Sequence, residues 1–417
     1  DPLVGAYSDA FKGRLGRRHP FMYAASLPMG LFICLLFTPP RDLEGMMLIV
    51  WLLVFLILTR ISFTFFSVPW SALIAEFSDS YEERTVIASY RTLVGPLIGG
   101  ISSFLIFTFV FTGSAEFPKG NENAENYVFF GPLIGSLMTA WALFSTHFTR
   151  GEIPYMYQMD GSLPTSLRST VLSVFLALKS RNYRIVLIAI LIFFGVQGTL
   201  FQFDIYIATY FWDLTTDRIG LLPLFSIPAP IIGFALARPL QRRFQKQHIL
   251  CFTMLAQMIL SGLVVCCRLL DIFPSNESVI FMPSLGLFAF AQSLLGIIGG
   301  FIVFSMTADL ADEQEYETGA RQEGVLASGI AFSTKAVGSL GVIVAGFLLE
   351  YFIQFPAGQP GAEIAEDVLF RLAITDAIIV NCLLLIPAFI ITRYRLTSEA
   401  MASMQEELRV RKQAVPD

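Results

Sequence analysis

Histidine is nearly missing from this chain of 417 residues: there are three, His19, His147 and His248, each at the end of an apolar stretch. So few imidazoles leave little from which to build a metal-dependent or acid–base catalytic site. The five cysteines (Cys34, Cys251, Cys266, Cys267, Cys382) all fall inside apolar runs without metal-ligand spacing, and are expected to be packing residues. Charge is scarce as well. Only 15% of the residues are charged, the net charge of -5 sits mostly in a few connections, and no basic tract suggests nucleic acid as a partner. An enzyme built on a nucleophile, a metal cluster or a phosphate cradle is therefore disfavoured. No cofactor is expected, and no metal beyond a transported Na+.

What fills the chain instead is apolar. It is 55% hydrophobic with 40 Phe, and its mean hydropathy is +0.65, more apolar surface than a soluble domain could bury. The composition is that of an all-α polytopic membrane protein. Stretches near the length of about 20 residues that crosses a bilayer as helix occur at 21–39, 46–73, 86–112, 127–148, 185–212, 219–239, 247–270, 279–307, 324–353 and 369–392. The opening dozen residues are also apolar and stop at Lys12, Arg14, Arg17 and Arg18. They are expected to be the end of a further span, so that a twelve-helix parent would have its first helix and part of its second upstream of residue 1.

Lysine and arginine are retained on the cytoplasmic side of membrane proteins. Here they concentrate in alternate connections: 12–18, Arg84, 150–184, 238–246, Arg321, and the tail from Arg393 to Lys412. The opposite connections hold only Arg41, Lys119, Arg218, Arg268 and Arg371. This bias predicts a multi-pass protein of the plasma (inner) membrane with a cytoplasmic C-terminus.

The charges also repeat. A basic connection KGRLGRRH (12–19) is followed two spans later by the acidic EFSDSYEER (76–84) and then by Arg91 inside the next span. RPLQRRFQKQH (238–248) is likewise followed by DLADEQEYETGARQEG (309–324) and then by Lys335. Two halves on one plan are the mark of a two-fold transporter. The expected division is 1–149, an N-terminal transmembrane bundle; 150–183, a cytoplasmic linker; 184–393, a C-terminal bundle; and 394–417, a cytoplasmic tail.

A charge in the hydrocarbon core costs at least about 2.5–3.5 kcal/mol on insertion scales, so each needs a reason. Asp1 can bind Na+ or a proton, or form a static ion pair. Thr64 has a hydroxyl suited to a small cation, unless its own helix backbone takes it. Arg91 can hydrogen-bond a polar substrate or snorkel to the surface. Lys335 can balance membrane carboxylates or snorkel; the 12 residues from Glu323 make about 18 Å of helix, which disfavours the latter. Arg60 has no obvious partner in the sequence; its best would be Asp1 or another acid of the first half. Asp204, amid Gln197, Gln202, Tyr206 and Tyr210, reads either as a cavity wall able to bind hydroxyls or as the wetter end of its span, and Asp376 reads as interfacial. The acidic connections are either merely solvated or form, with the basic ones, a cytoplasmic gate that opens and closes; its members would be Asp9, Arg17, Arg18, Asp309, Asp312, Arg321 and Glu323.

Three stretches, DPLVGAYSD with GRRHP, VPWSALIAEFSDSYEERTVIASYR and ADLADEQEYETGARQEGVLASGIAFSTKAVGSLG, resemble the most recognisable parts of the glycoside-pentoside-hexuronide:cation symporters, the melibiose permease group of the major facilitator superfamily. The likeness covers essentially the whole chain. It implies the major facilitator fold, two six-helix bundles working by alternating access, and sugar uptake coupled to Na+, H+ or Li+. By position it implies that Asp1, Thr64 and Lys335 form the cation site and that Arg91 contacts the sugar. Where the melibiose permease group has a sugar-binding Asp in its fourth helix this chain has Ser67; the adjacent stacking Trp falls on Ser71, with Trp70 one position away, and Gly300 replaces a Trp of the tenth helix. The substrate site is thus expected at Arg91, Ser67, Trp70 and Asp204, with Asp204 as the missing acceptor. The expected function is symport of a sugar or related polar solute with Na+ or H+ by a functional monomer in the lipid bilayer. The alternatives are a cation-coupled carrier of a lysophospholipid or similar amphiphile, and a non-transporting membrane sensor.

Overall fold

The structure, a computed structural model, describes residues 4–5, 7–8, 11, 13–77, 81–155, 180–318, 335, 337–356, 364–396 and 398–414. The regular structure among these residues is helical, with no strand. The helices are α1 (His19–Phe37), α2 (Gly45–Glu76), α3 (Tyr81–Leu105), α4 (Ala124–Thr149), α5 (Arg181–Tyr206), α6 (Thr216–Phe225), α7 (Pro228–Arg243), α8 (Lys246–Leu269) and α9 (Phe281–Thr318). They continue with α10 (Val337–Ile353), α11 (Glu366–Ile374), α12 (Leu385–Ile391) and α13 (Ser398–Ala414). Wider π-helical turns extend α3 (Ile106–Val110), α5 (Ile207–Phe211) and α11 (Thr375–Val380), and one closes α10 (Leu348–Ile353).

Eight helical stretches among the described residues are long and apolar enough to cross a membrane, and two shorter apolar ones, Val94–Val110 and Val337–Ile353, complete the ten expected positions. α2 shows why the bilayer is needed. Met46, Met47, Ile49, Leu53, Leu56 and Ile57 are all exposed along it, an arrangement stable only where the solvent is itself hydrocarbon. Prolines sit inside several spans, Pro28, Pro69, Pro96 and Pro132 among them, as bilayer helices tolerate.

The chain divides into two compact units, one of Asp1–Gly95 with Leu105–Ser169 and one of Pro96–Phe104 with Thr170–Asp417. Within the first, α1 packs on α2 and most extensively on α4. The α1–α4 contact is made by small residues: a β-carbon on Gly30 would collide with the Gly135 carbonyl, and one on Gly135 with the Gly30 carbonyl. With no hydrophobic drive between helices in lipid, such close backbone approach is what holds them. Thr139 Oγ1 adds a hydrogen bond to the Ser26 carbonyl at 3.2 Å.

The second unit repeats the device between α5 and α10. A β-carbon on Gly198 would strike the Gly338 carbonyl, and one on Gly341 the Gly195 carbonyl, while Thr199 Oγ1 donates to the carbonyls of Gly195 (3.1 Å) and Gly341 (3.2 Å). Its core joins α5, α8, α9 and α12 through Val186, Ile190, Met254, Ile302, Met306 and Ile391. At one end Asn276 ties three segments together, accepting from Arg268 Nη2 on its side chain (2.8 Å), accepting from Arg218 Nη1 on its carbonyl (3.1 Å), and donating to the Trp212 carbonyl (2.8 Å).

One expectation needs correcting. The acidic segment beginning at Asp309 is not a connection at its start: α9 continues unbroken through Thr318. ADLADEQEYET has no glycine or proline before Gly319, is rich in helix formers, and buries Leu310 and Ala311. The carboxylates are therefore displayed at fixed helical spacing, with Asp309 and Glu313 on one face.

Candidate functional site

In the first unit the candidate site grows from the second half of α2. Thr64 and Ser67 are half-buried there, one turn apart, and Trp70 follows a turn later beside the helix proline Pro69. Trp70 Nε1 donates to Ser145 Oγ of α4 at 3.2 Å, which fixes the indole between two helices. Next to it a cavity of ≈ 440 Å³ is walled by Trp70, Leu73 and Phe77 from α2, Ile87, Tyr90, Val94 and Gly95 from α3, and Thr149 from α4. Thr149 Oγ1 donates to the Ser145 carbonyl (2.8 Å) and lies 3.1 Å from Nε2 of the buried His19. Since the hydroxyl proton is already committed, the imidazole is the donor in that contact. An aromatic floor with a few hydroxyls at its edge can stack on the C–H face of a sugar ring or receive an apolar group.

In the second unit Asp204 is exposed near the end of α5. It lies within Coulombic reach of Asp376, which is half-buried in the π-helical turn after α11. Just beyond Asp204, Tyr206 and Tyr210 stack with ring centroids 6.4 Å apart, and Phe355 meets both edge-on at 5.1 and 5.0 Å. This groups three aromatic rings at the end of the helix that carries the carboxylate. Lys335 is exposed, and Ser339 Oγ donates to its carbonyl at 3.1 Å. Arg60 is exposed on α2.

The residues expected to form a gate are partly described. Arg18 is buried at the start of α1, where its carbonyl accepts from the amides of Phe21 (3.2 Å) and Met22 (3.3 Å), and Arg17 is half-buried beside it. Asp309 pairs with Lys246 of α8 at 2.6 Å, and Asp312 accepts from Gln405 of α13 at 2.8 Å. Asp1, Asp9, Arg321 and Glu323 lie outside the described residues, as does the side chain of Arg91, whose backbone is part of α3.

Several contributors gave no advance signal. Ser145, Thr149 and Tyr90 stand in stretches whose composition is that of any span. Glu313 is held by Asn182 Nδ2 at 2.6 Å and Ser180 Oγ at 3.3 Å, partners more than a hundred residues away in sequence. Tyr394, between two arginines after the last span, is buried close to Asp309 and Glu313; burial first, then those two carboxylates, pushes its phenol above the usual range, so it stays protonated.

Comparison with known proteins bears on the family of the chain. The family model described as MFS/sugar transport protein matches residues 1–398. An uncharacterized symporter of Bacillus subtilis (strain 168), YnaJ, is 26% identical over 413 residues, covering 98% of this chain and 83% of its own. The isoprimeverose transporter of Lactiplantibacillus pentosus is 25% identical over 356 residues, 84% of this chain and 68% of its own. The raffinose carrier protein of Pediococcus pentosaceus is 22% identical over 358 residues, 82% of this chain and 53% of its own. With the family model running through both units, and with relatives named as symporters and sugar carriers rather than enzymes, the chain belongs to the MFS/sugar transport protein family, within the melibiose permease-like group that its motifs resemble.

Proposed function

We propose that this protein is a symporter that drives a sugar or related polar solute across the inner membrane with Na+ or H+, by alternating access between two bundles, with its C-terminus in the cytoplasm. The observation that carries the reading is the family match from residue 1 to 398, supported by relatives named for isoprimeverose and raffinose. Asp1 and Thr64 hold the coupling cation, with Lys335 balancing the charge when the site is empty. Cation binding then favours solute at Arg91, Ser67, Trp70 and Asp204. Charge pairs at the basic ends of the helices break and re-form as the carrier rocks; solvent-exposed ones do so at a cost of about 1 kcal/mol or less, whereas the more buried Lys246–Asp309 pair costs more to open. The protein acts as a monomer.

Replacement of an acidic sugar ligand by Ser67 argues against tight selection of galactosides, while the aromatic walls near Trp70 and Tyr206 suit a larger or partly apolar glycoside. The apolar walls of the cavity beside Trp70 also favour, as a second reading, an amphiphile such as a lysophospholipid. Uptake into proteoliposomes of labelled mono- and disaccharides, uronic acids and lysolipids separates the two. Saturable uptake of one sugar that unlabelled lysolipid does not compete supports the first; uptake confined to the lysolipid rejects it.

A further inference from the structure

Tyr394 follows the last span and is 2% exposed, packed in the core with Tyr183, Leu310, Leu396 and Met401. Its hydroxyl is shielded from solvent and has no hydrogen-bond partner. Buried polar groups are nearly always paired in native proteins, so one that is not requires a reason.

The reason lies on α9. Asp309 and Glu313 share one face of that helix, one turn apart, and Leu310, next to Asp309, belongs to the same buried cluster as Tyr394. The backbone fixes the proximity. The amide of Arg395, the next residue, donates to Asn182 Oδ1 (3.3 Å), and Asn182 Nδ2 donates to Glu313 Oε1 (2.6 Å). Glu313 is thus supplied with donors. Asp309 has Lys246 at 2.6 Å, but the pair is unequally placed: the Lys246 side chain is 21% exposed and that of Asp309 10%. Lys246 begins α8, and its flexible stem can carry the ammonium out to water. The Asp309 carboxylate, anchored on α9, cannot follow, and would remain as a buried charge stripped of its partner, the most unfavourable of the available states.

We propose that Tyr394 is the reserve partner of Asp309: when Lys246 and Asp309 separate, the Tyr394 hydroxyl donates to the vacated carboxylate, and its idle state here is the counterpart of that exchange. Tyr394 is a positioning residue in this scheme, holding Asp309 while the charge pair is open. The purpose of the exchange rests on the transporter reading; its test does not.

The test is a double-mutant cycle on the full chain in detergent, read as the thermal midpoint without any solute. Tyr394→Phe alone leaves the midpoint unchanged or raises it, because an unpaired buried hydroxyl is removed. Lys246→Met imposes the separated state and lowers it. Together they lower it by at least about 3 °C more than the sum of the single shifts, and that excess disappears when Asp309→Asn is added. Additive shifts overturn the proposal, and so does a Tyr394→Phe variant that is destabilised by itself, since its hydroxyl would then already be engaged. If Lys246→Met is not recovered folded, Lys246→Leu, which likewise offers Asp309 no donor, takes its place under the same criteria. Because no transport is measured, a protein that carries no sugar would sink the symporter reading and leave this result standing.

Discussion

Replacing Gly135 by alanine tests whether direct backbone contact holds α1 to α4. The new β-carbon would meet the Gly30 carbonyl oxygen, which belongs to the backbone and cannot rotate away, so the helices must part. One extra methyl in a tight contact costs about 1–3 kcal/mol. Parting also stretches the Thr139 to Ser26 hydrogen bond, already 3.2 Å long, for about 1 kcal/mol more. Alanine returns about 0.5–1 kcal/mol through its higher helix propensity, so the net loss is about 1–3 kcal/mol. Gly346→Ala is the matched control: Gly346 lies in α10 with nothing within 4 Å of its would-be β-carbon, and only the propensity gain applies. Both variants, purified in detergent and heated before size-exclusion chromatography, give thermal midpoints. Gly135→Ala is expected several degrees below wild type and Gly346→Ala at or slightly above it. If Gly135→Ala melts at or above Gly346→Ala, the close-contact reasoning is refuted.

Asn276→Ala removes the acceptor of Arg268 and the donor to the Trp212 carbonyl, and should lower stability by about 1–3 kcal/mol, visible as a lower midpoint in the same assay; an unchanged midpoint would show that Arg268 is held by its contacts with the Trp212 and Phe281 rings. Trp70→Ala should reduce solute uptake at least about tenfold, the loss of a stacking surface and its Ser145 tether, whereas Trp70→Phe should keep most of it. Equal rates for the two variants would remove Trp70 from the substrate site.

Spans could be read from length and apolarity, because a bilayer imposes both. Their neighbours could not. α2 and the membrane-spanning part of α9, up to about Met306, are apolar almost all round, so no periodicity marks the face turned toward another helix, and the pairings of Trp70 with Ser145 and of Asn182 with Glu313 cross 75 and 131 residues. Glycine offered a partial clue: GPLIG at 131–135 has the spacing of a contact stripe, although only the structure supplies Gly30 as its partner. Scarcity made the charged residues conspicuous, and so Asp204, Lys335 and Asp309 drew attention early. Their settings followed from rotation and packing: Asp309 lies in a continuous helix beside Lys246, and Asp376 shares the neighbourhood of Asp204. Tyr394 had no sequence signature, since its significance comes from a missing hydrogen bond.

Coupling is the central claim, and it is tested most directly by solute accumulation in proteoliposomes under an imposed Na+ or H+ gradient, with Asp1→Asn and Lys335→Ala alongside wild type. The prediction is uphill accumulation by wild type with one of the two ions, abolished in both variants while their folding is retained. Accumulation that ignores both gradients, or variants that concentrate solute as wild type does, would contradict a cation site at Asp1, Thr64 and Lys335.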